Sequence, residues 1–209
     1  MSQKPKFSRD VVIELAFETA RESGFEKISA RKIAKKLNST VSPIFTLFKN
    51  MDELKEEVIN KGWLLVKDYL KEADLYTPSF KMRGYQLVKF AKEEPNLFKM
   101  LMMQKGKEDS FFAVFPLLSE FNSDLEDLSN EYDISITEAK EMFKQLAIIA
   151  FGICSFIINN GYDFTDEEIF NALGKGFLGN LSILKNHVYS FDIKPVKKND
   201  SISIKKEIE

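Results

Sequence analysis

The sequence predicts an all-α protein, on three observations. Apolar residues recur at helical spacing along most of the chain, helix-opening caps punctuate it at intervals, and no strand pattern competes. The 209 residues, 44% hydrophobic and 30% charged, can bury a core as one large domain or as a small domain plus a larger one.

The elements follow in order. Ser8 to Ser23 places Ile13, Ala16, Phe17 and Ala20 on one face, with Gly24 where that helix ends. Ser29 can cap a short basic helix whose Ile33, Ala34 and Leu37 form its apolar face. Asn38 sits where the chain must turn, and asparagine tolerates the left-handed conformation better than most residues. Thr40 can cap the next helix, which puts Val41, Ser42 and Pro43 in an exposed first turn. Asn50 and Glu53 form a variant capping box, opening a long helix that can run to about Leu75.

Further helices are expected from Ser79 to Glu94, from Asn96 to Gln104 after Pro95, and from about Ser110 to Glu131 with a bend near Pro116. Ser135 with Glu138, and Thr165 with Glu168, are capping boxes for the last two helices, about Ile136 to Asn160 and Asp166 to Val188. The first is apolar all round in its second half, which predicts burial on all sides. The second holds Gly174, Gly176 and Gly179, each costing up to ~1 kcal/mol against alanine in a helix interior. Close helix packing would offset that cost, either at a dimer seam or within one chain. The tail from Lys194 is expected to be mobile.

Two helices joined by a short turn, the second presenting its first turn outward, form the helix-turn-helix geometry that enters the DNA major groove. Charge points to the same end. Residues 1–50 carry ten Lys/Arg against five Asp/Glu, a balance of +5, while the remainder of the chain is at −7. Charge clustering alone also describes a solvated helix face; the helix-turn-helix pattern is what favours nucleic acid.

Little supports catalysis, so the protein is expected not to be an enzyme. His187 sits near the end of the last helix, where it complements the helix dipole, and Cys154 lies among Ile153, Phe156 and Ile157 as a small core residue. The paired acids Glu93–Glu94 and Glu167–Glu168 are expected at exposed helix ends. Neither a phosphate loop nor a Cys/His cluster with metal-ligand spacing occurs, so no cofactor or metal is expected. The N-terminus lacks the apolar core of a signal peptide. The longest apolar run, Leu146 to Ile158, falls short of the ~20 residues of a bilayer span, and a cytoplasmic protein without membrane contact is expected.

Ile33–Ala34, the run Asn38 to Phe45, the Phe45/Phe48 pair, Lys49–Asn50 and Leu54, with the preceding helix ending at Gly24, resemble the DNA-binding domain of the TetR/AcrR (tetracycline-repressor-like) regulators. The likeness covers roughly Ser8 to Ile59. Departures from the usual pattern are Asn38–Ser39–Thr40 for Gly-Val-Ser, Phe45 for tyrosine and Met51 for lysine. The resemblance implies an N-terminal three-helix DNA-binding domain (1–50), a larger helical ligand-binding and dimerisation domain (51–191) and the tail 192–209. The implied function is a homodimeric transcriptional regulator, a repressor released from an inverted-repeat operator by a small apolar or amphipathic ligand. The alternative is a helical ligand-binding or protein-interaction module that does not bind DNA.

On that geometry Val41, Ser42, Pro43, Thr46 and Leu47 are expected at base edges, with Thr40 capping their helix. Ser29, Arg31, Phe45 and Lys49 are expected along the phosphates, and Lys4 and Lys6 in an adjacent groove. Fourteen of the nineteen phenylalanines lie between Phe80 and Phe191, where most must be core. The resemblance implies a pocket there, with Phe98, Met102, Phe111, Phe115 and Phe143 as candidate lining and the helix after Pro95 between pocket and DNA.

Overall fold

The computed structural model describes residues 7–103 and 122–186, and every regular element among them is a helix. They are α1 (Arg9–Ser23), α2 (Ala30–Lys36), α3 (Ser42–Leu47), α4 (Met51–Lys71), α5 (Phe80–Glu93), α6 (Pro95–Met102), α7 (Asn122–Tyr132), α8 (Ile136–Asn160) and α9 (Asp166–Lys185). Lys4, Lys6, Phe111, Phe115, Pro116, His187 and the 192–209 tail lie outside the described residues.

Local chemistry accounts for most helix starts. Ser8, Ser29 and Asn50 each accept from the N–H three residues on, which satisfies one of the donors a helix leaves unpaired. Ser135/Glu138 and Thr165/Glu168 form full reciprocal capping boxes. At α4 the box is displaced: the Glu53 carboxylate accepts from the Lys49 N–H at 2.6 Å, one residue upstream of the cap. The helix itself ends at Lys71 and tightens into a 3₁₀ turn over Glu72–Leu75.

Thr40 does not cap α3. That position belongs to Val41, which makes no side-chain cap bond. Asn38 adopts the left-handed conformation (φ 48°), and the Ser39 N–H reaches back to the Ala34 carbonyl at 2.9 Å. The turn therefore uses more residues than the spacing suggested before the chain re-enters helical geometry.

One core cluster joins the N-terminal helices to α5, α6, α8 and α9. Phe17, Ile33, Ile44, Phe48 and Leu54 at the N-terminal end are continuous through α4 and α6 with Phe90, Leu97, Phe98 and Cys154. The boundary at residue 50 is thus no break in packing. Gly62 brings α4 close to α6: a Cβ there would sit 2.9 Å from Met100 Cε and 3.1 Å from a Leu101 methyl. A second, smaller cluster joins Phe80, Leu128, Met142 and Phe177.

The expectation that α8 is buried on all sides does not hold within one chain. It packs on α5, α7 and α9, yet Ile148 and Phe156 remain 45% and 55% exposed. Together with Gly152 they lie four residues apart on one stripe, and nothing approaches within 4 Å of a Cβ built on that glycine. By length and composition α8 could cross a membrane, at a mean hydropathy of 1.7, and only 22% of that apolar window is buried. Gly176 has its close neighbour in the same chain, because its Cβ would meet Ile149 Cδ1 at 2.3 Å. Gly174 and Gly179 face open space.

Candidate nucleic-acid interface

The unit α1–α3 is assembled from short segments that cannot be stable alone, so tertiary contacts must hold α3. Ile44 and Phe48 are buried and Leu47 packs half-buried on the same core. Helical geometry then turns Val41, Ser42, Phe45 and Thr46 to the opposite side, where all four are exposed. Pro43 is half-buried beside them, in the first turn where a missing N–H costs nothing. The Thr46 hydroxyl donates to the Ser42 carbonyl at 3.1 Å, so its oxygen keeps acceptor capacity.

Arg9 locks this element in place. Its guanidinium lies 4.2 Å from the Phe48 ring centroid, donates to the Leu47 carbonyl at 2.8 Å, and pairs with Glu57 at 2.7 Å and Glu53 at 2.8 Å. The end of α3 is thereby tied to both α1 and α4. Glu53 is held below the usual carboxylate range, first by the Lys49 N–H and then by Arg9, while Glu57 and Glu53 raise Arg9.

Around α3, Ser29, Arg31, Thr40 and Lys49 are exposed. Ser29 spends an acceptor pair on the Lys32 N–H at 3.3 Å, which leaves its O–H free to donate. Arg31 and Lys35, four residues apart on α2, are exposed and make no ion pair among the described residues. Lys36 and Lys32 are engaged by Glu22 at 3.2 Å and by the Ser23 hydroxyl at 3.1 Å. The arrangement can offer hydrogen bonds and apolar contacts from α3, flanked by cations, to a polyanionic groove.

The connection between this unit and the rest was not foreseen. Glu94, expected at an exposed helix end, is 5% exposed and makes a two-pronged ion pair with Arg21 of α1. The Asn96 amide donates to the Arg21 carbonyl at 2.9 Å. Burying a charged carboxylate is costly unless a cation pairs with it, and the turn between α5 and α6 brings this one to Arg21 of α1. No local pattern marks it, since the partners are 73 residues apart. Arg83 likewise joins α5 to buried Asp124 of α7 at 2.6 Å and to Asp74 at 2.6 Å.

Of the expected ligand residues, Phe98 is fully buried, its ring centroid 6.3 Å from that of Phe90 and 5.8 Å from that of Phe151. Met102 is buried and Phe143 half-buried. None of the three lines either of two cavities seen among the described residues, an open acidic cleft bordered by Asp74, Asp127 and Glu131 and an apolar groove between α5 and α9. Cys154 is buried, its thiol pushed up by desolvation, which keeps it in the unreactive protonated form.

Among solved structures, the chain is similar to a transcriptional regulator from Rhodococcus sp. Rha1. The two share 16% sequence identity and a TM-score of 0.51 over 87% of this chain and 97% of that one. At that identity the likeness is one of fold. No protein-family model and no curated protein matches the sequence.

Proposed function

We propose that the protein is a DNA-binding transcriptional regulator of the TetR/AcrR type, a cytoplasmic homodimer that represses from an inverted repeat and is released by a small ligand. One observation carries this reading: α3 presents Val41, Ser42, Phe45 and Thr46 outward on a base fixed by Ile44, Phe48 and Arg9, at the basic end of the chain. The shared fold with a transcriptional regulator supports it.

On this reading residues 1–50 form the reading head and 51–191 the regulatory and dimerisation part. Ser42 hydrogen-bonds a base edge, while Val41 and Pro43 pack on thymine methyls. Ser29, Arg31 and Lys49 hold phosphates. Two copies meet across the Ile148–Gly152–Phe156 stripe and the open Gly179 and Ile183 side of α9. A stable seam should exceed ~1,200 Å² with apolar residues at its centre. An apolar or amphipathic ligand that parts Phe98, Met102 and Phe143 would move α6 against α1 and α4, which it packs on. A conformational preference of ~1.4 kcal/mol is enough to change operator affinity tenfold.

The test is a gel shift with the gene's own upstream DNA at two salt concentrations, for the wild type and Arg31→Ala. Saturable binding that weakens with salt is expected. The variant should weaken specific and random DNA alike and flatten the salt slope by about one unit per half-site. Absence of binding at both salt concentrations would leave the alternative, a helical module that does not bind DNA.

A further inference from the structure

The second cavity is a groove of about 380 Å³ between α5 and α9, bordered also by Tyr132 of α7 and largely apolar in its lining. Its volume falls in the range of small-molecule sites. At its head three rings from three helices meet. Phe80 and Phe177 stack with centroids 5.9 Å apart, and Tyr132 packs edge-on to both, at 6.3 and 5.1 Å.

The Lys81 ammonium sits over all three. Its Nζ is 5.6 Å from the Phe80 centroid, 5.3 Å from Tyr132 and 5.2 Å from Phe177, each within the reach of a cation–π contact. The same nitrogen donates to the Tyr132 hydroxyl at 2.6 Å and stands 3.7 Å from the Glu131 carboxylate. Electron-rich ring faces, a phenol oxygen and a carboxylate together make a receptor for an ammonium head, occupied here by the chain's own lysine. That lysine side chain is 42% exposed and on a flexible stem, so it can leave for water.

Charge decides the class of ligand. α7 carries Asp124, Glu126, Asp127 and Glu131 and no basic residue, and the adjoining cleft is bordered by Asp74 and Asp127. A carboxylate seated where the Lys81 nitrogen lies would face the Glu131 carboxylate and the electron-rich ring faces, although the Tyr132 hydroxyl, which accepts from Lys81, keeps its own O–H to donate. An organic cation in that position is attracted by the ring faces and by Glu131, once the Lys81 ammonium, the charged side chain of the groove's lining, has left it. Beyond the cage, Leu146, Leu173 and the exposed Phe170 and Leu178 line an apolar channel, and a Cβ added at Gly174 would find nothing within 4 Å.

We propose that this groove binds an amphipathic ammonium compound, whose cationic head replaces the Lys81 ammonium on the Phe80–Tyr132–Phe177 rings and whose apolar body lies between α5 and α9. The site is separate from Phe98 and Met102, and it stands whether or not the protein binds DNA.

Titration calorimetry on the full chain with octyltrimethylammonium, nonanoate and 1-nonanol tests it directly. The ammonium probe should bind at least about tenfold tighter than the other two, since only it gains the ring faces. Lys81→Met, which vacates the cage, should tighten it about tenfold further, whereas Gly174→Leu should fill the channel and abolish binding while leaving circular dichroism and thermal stability intact. Tyr132→Phe should retain the preference for the cation, and Tyr132→Leu should lose it. Absence of saturable ammonium binding, equal affinity for the three probes, or nonanoate binding that Lys81→Met removes would each overturn the proposal.

Discussion

The two ends of this chain dispose of their apolar side chains in opposite ways. In the N-terminal unit Phe17, Ile33, Ile44, Phe48 and Leu54 are all covered by the same chain, and α3 turns a mixed polar and apolar face to solvent. Along α8 and the Ile183 side of α9 the reverse holds: Ile148, Phe156 and Ile183 are 45–55% exposed, and Gly152 and Gly179 have nothing within 4 Å of an added Cβ. Apolar side chains left exposed along neighbouring helices are what an interaction surface would cover. The first region is complete in one chain, and the second is the surface that the proposed dimer would cover.

That contrast can be broken most sharply at Ile148. Ile148→Glu should leave the monomer folded, because the residue is half-exposed, yet put an unpaired charge in the proposed seam. Dimer affinity should fall by a factor of about a hundred or more, equivalent to ~3 kcal/mol, as measured by sedimentation equilibrium. An undisturbed dimer would move the seam elsewhere.

The self-contained end should respond in stability and not in assembly. Gly62→Val forces branched methyls into Met100 and Leu101, an overpacking cost of about 1–3 kcal/mol read by urea denaturation, with oligomeric state unchanged. Arg21→Ala strands the buried Glu94 carboxylate and should cost a similar or smaller amount, about 1–3 kcal/mol, because Arg21 itself is 45% exposed. Restoring most of the loss by adding Glu94→Gln would identify the stranded charge as its cause.

The smallest effect is the pH response of the two caps. Glu53 and Glu168 are both held below the ordinary value of 4.5, mainly by the backbone N–H groups of Lys49 and Thr165. A carboxylate lowered on folding adds stability that is full above its ordinary value and disappears as pH falls through the lowered one. Thermal stability should therefore decline below about pH 4.5, and less steeply in the Glu53→Gln, Glu168→Gln double variant, which has already lost both charges.

The contrast also explains what could be read in advance. Caps are local: Ser8, Ser29, Asn50, Ser135 and Thr165 each bond a group three residues away, so their residue types announced the helix starts, and the predicted limits of α8, Ile136 and Asn160, are the observed ones. The start of α3 was missed because it depends on how many residues the Asn38 turn consumes, which the Ser39 to Ala34 bond determines. Glu94 looked like a surface acid because its partner Arg21 is remote in sequence. Periodicity recognised α8 as apolar all round but could not say whether its own chain covers it. Gly176 raised the same choice, and the answer was a neighbour in the same chain, Ile149. The exposed residues of α3 follow from its spacing, whereas the ammonium cage draws on α5, α7 and α9 and had no linear signature.

Both regions meet in one measurement, the mass of the complex formed with the gene's upstream DNA, by sedimentation velocity or native mass spectrometry. Two 24.1 kDa chains on one inverted repeat is the expected result, with Ile148→Glu binding far more weakly and only as single chains. A lone chain bound as tightly as the wild type, or no complex at any protein concentration, would contradict a dimeric reader built from a finished head and an unfinished seam.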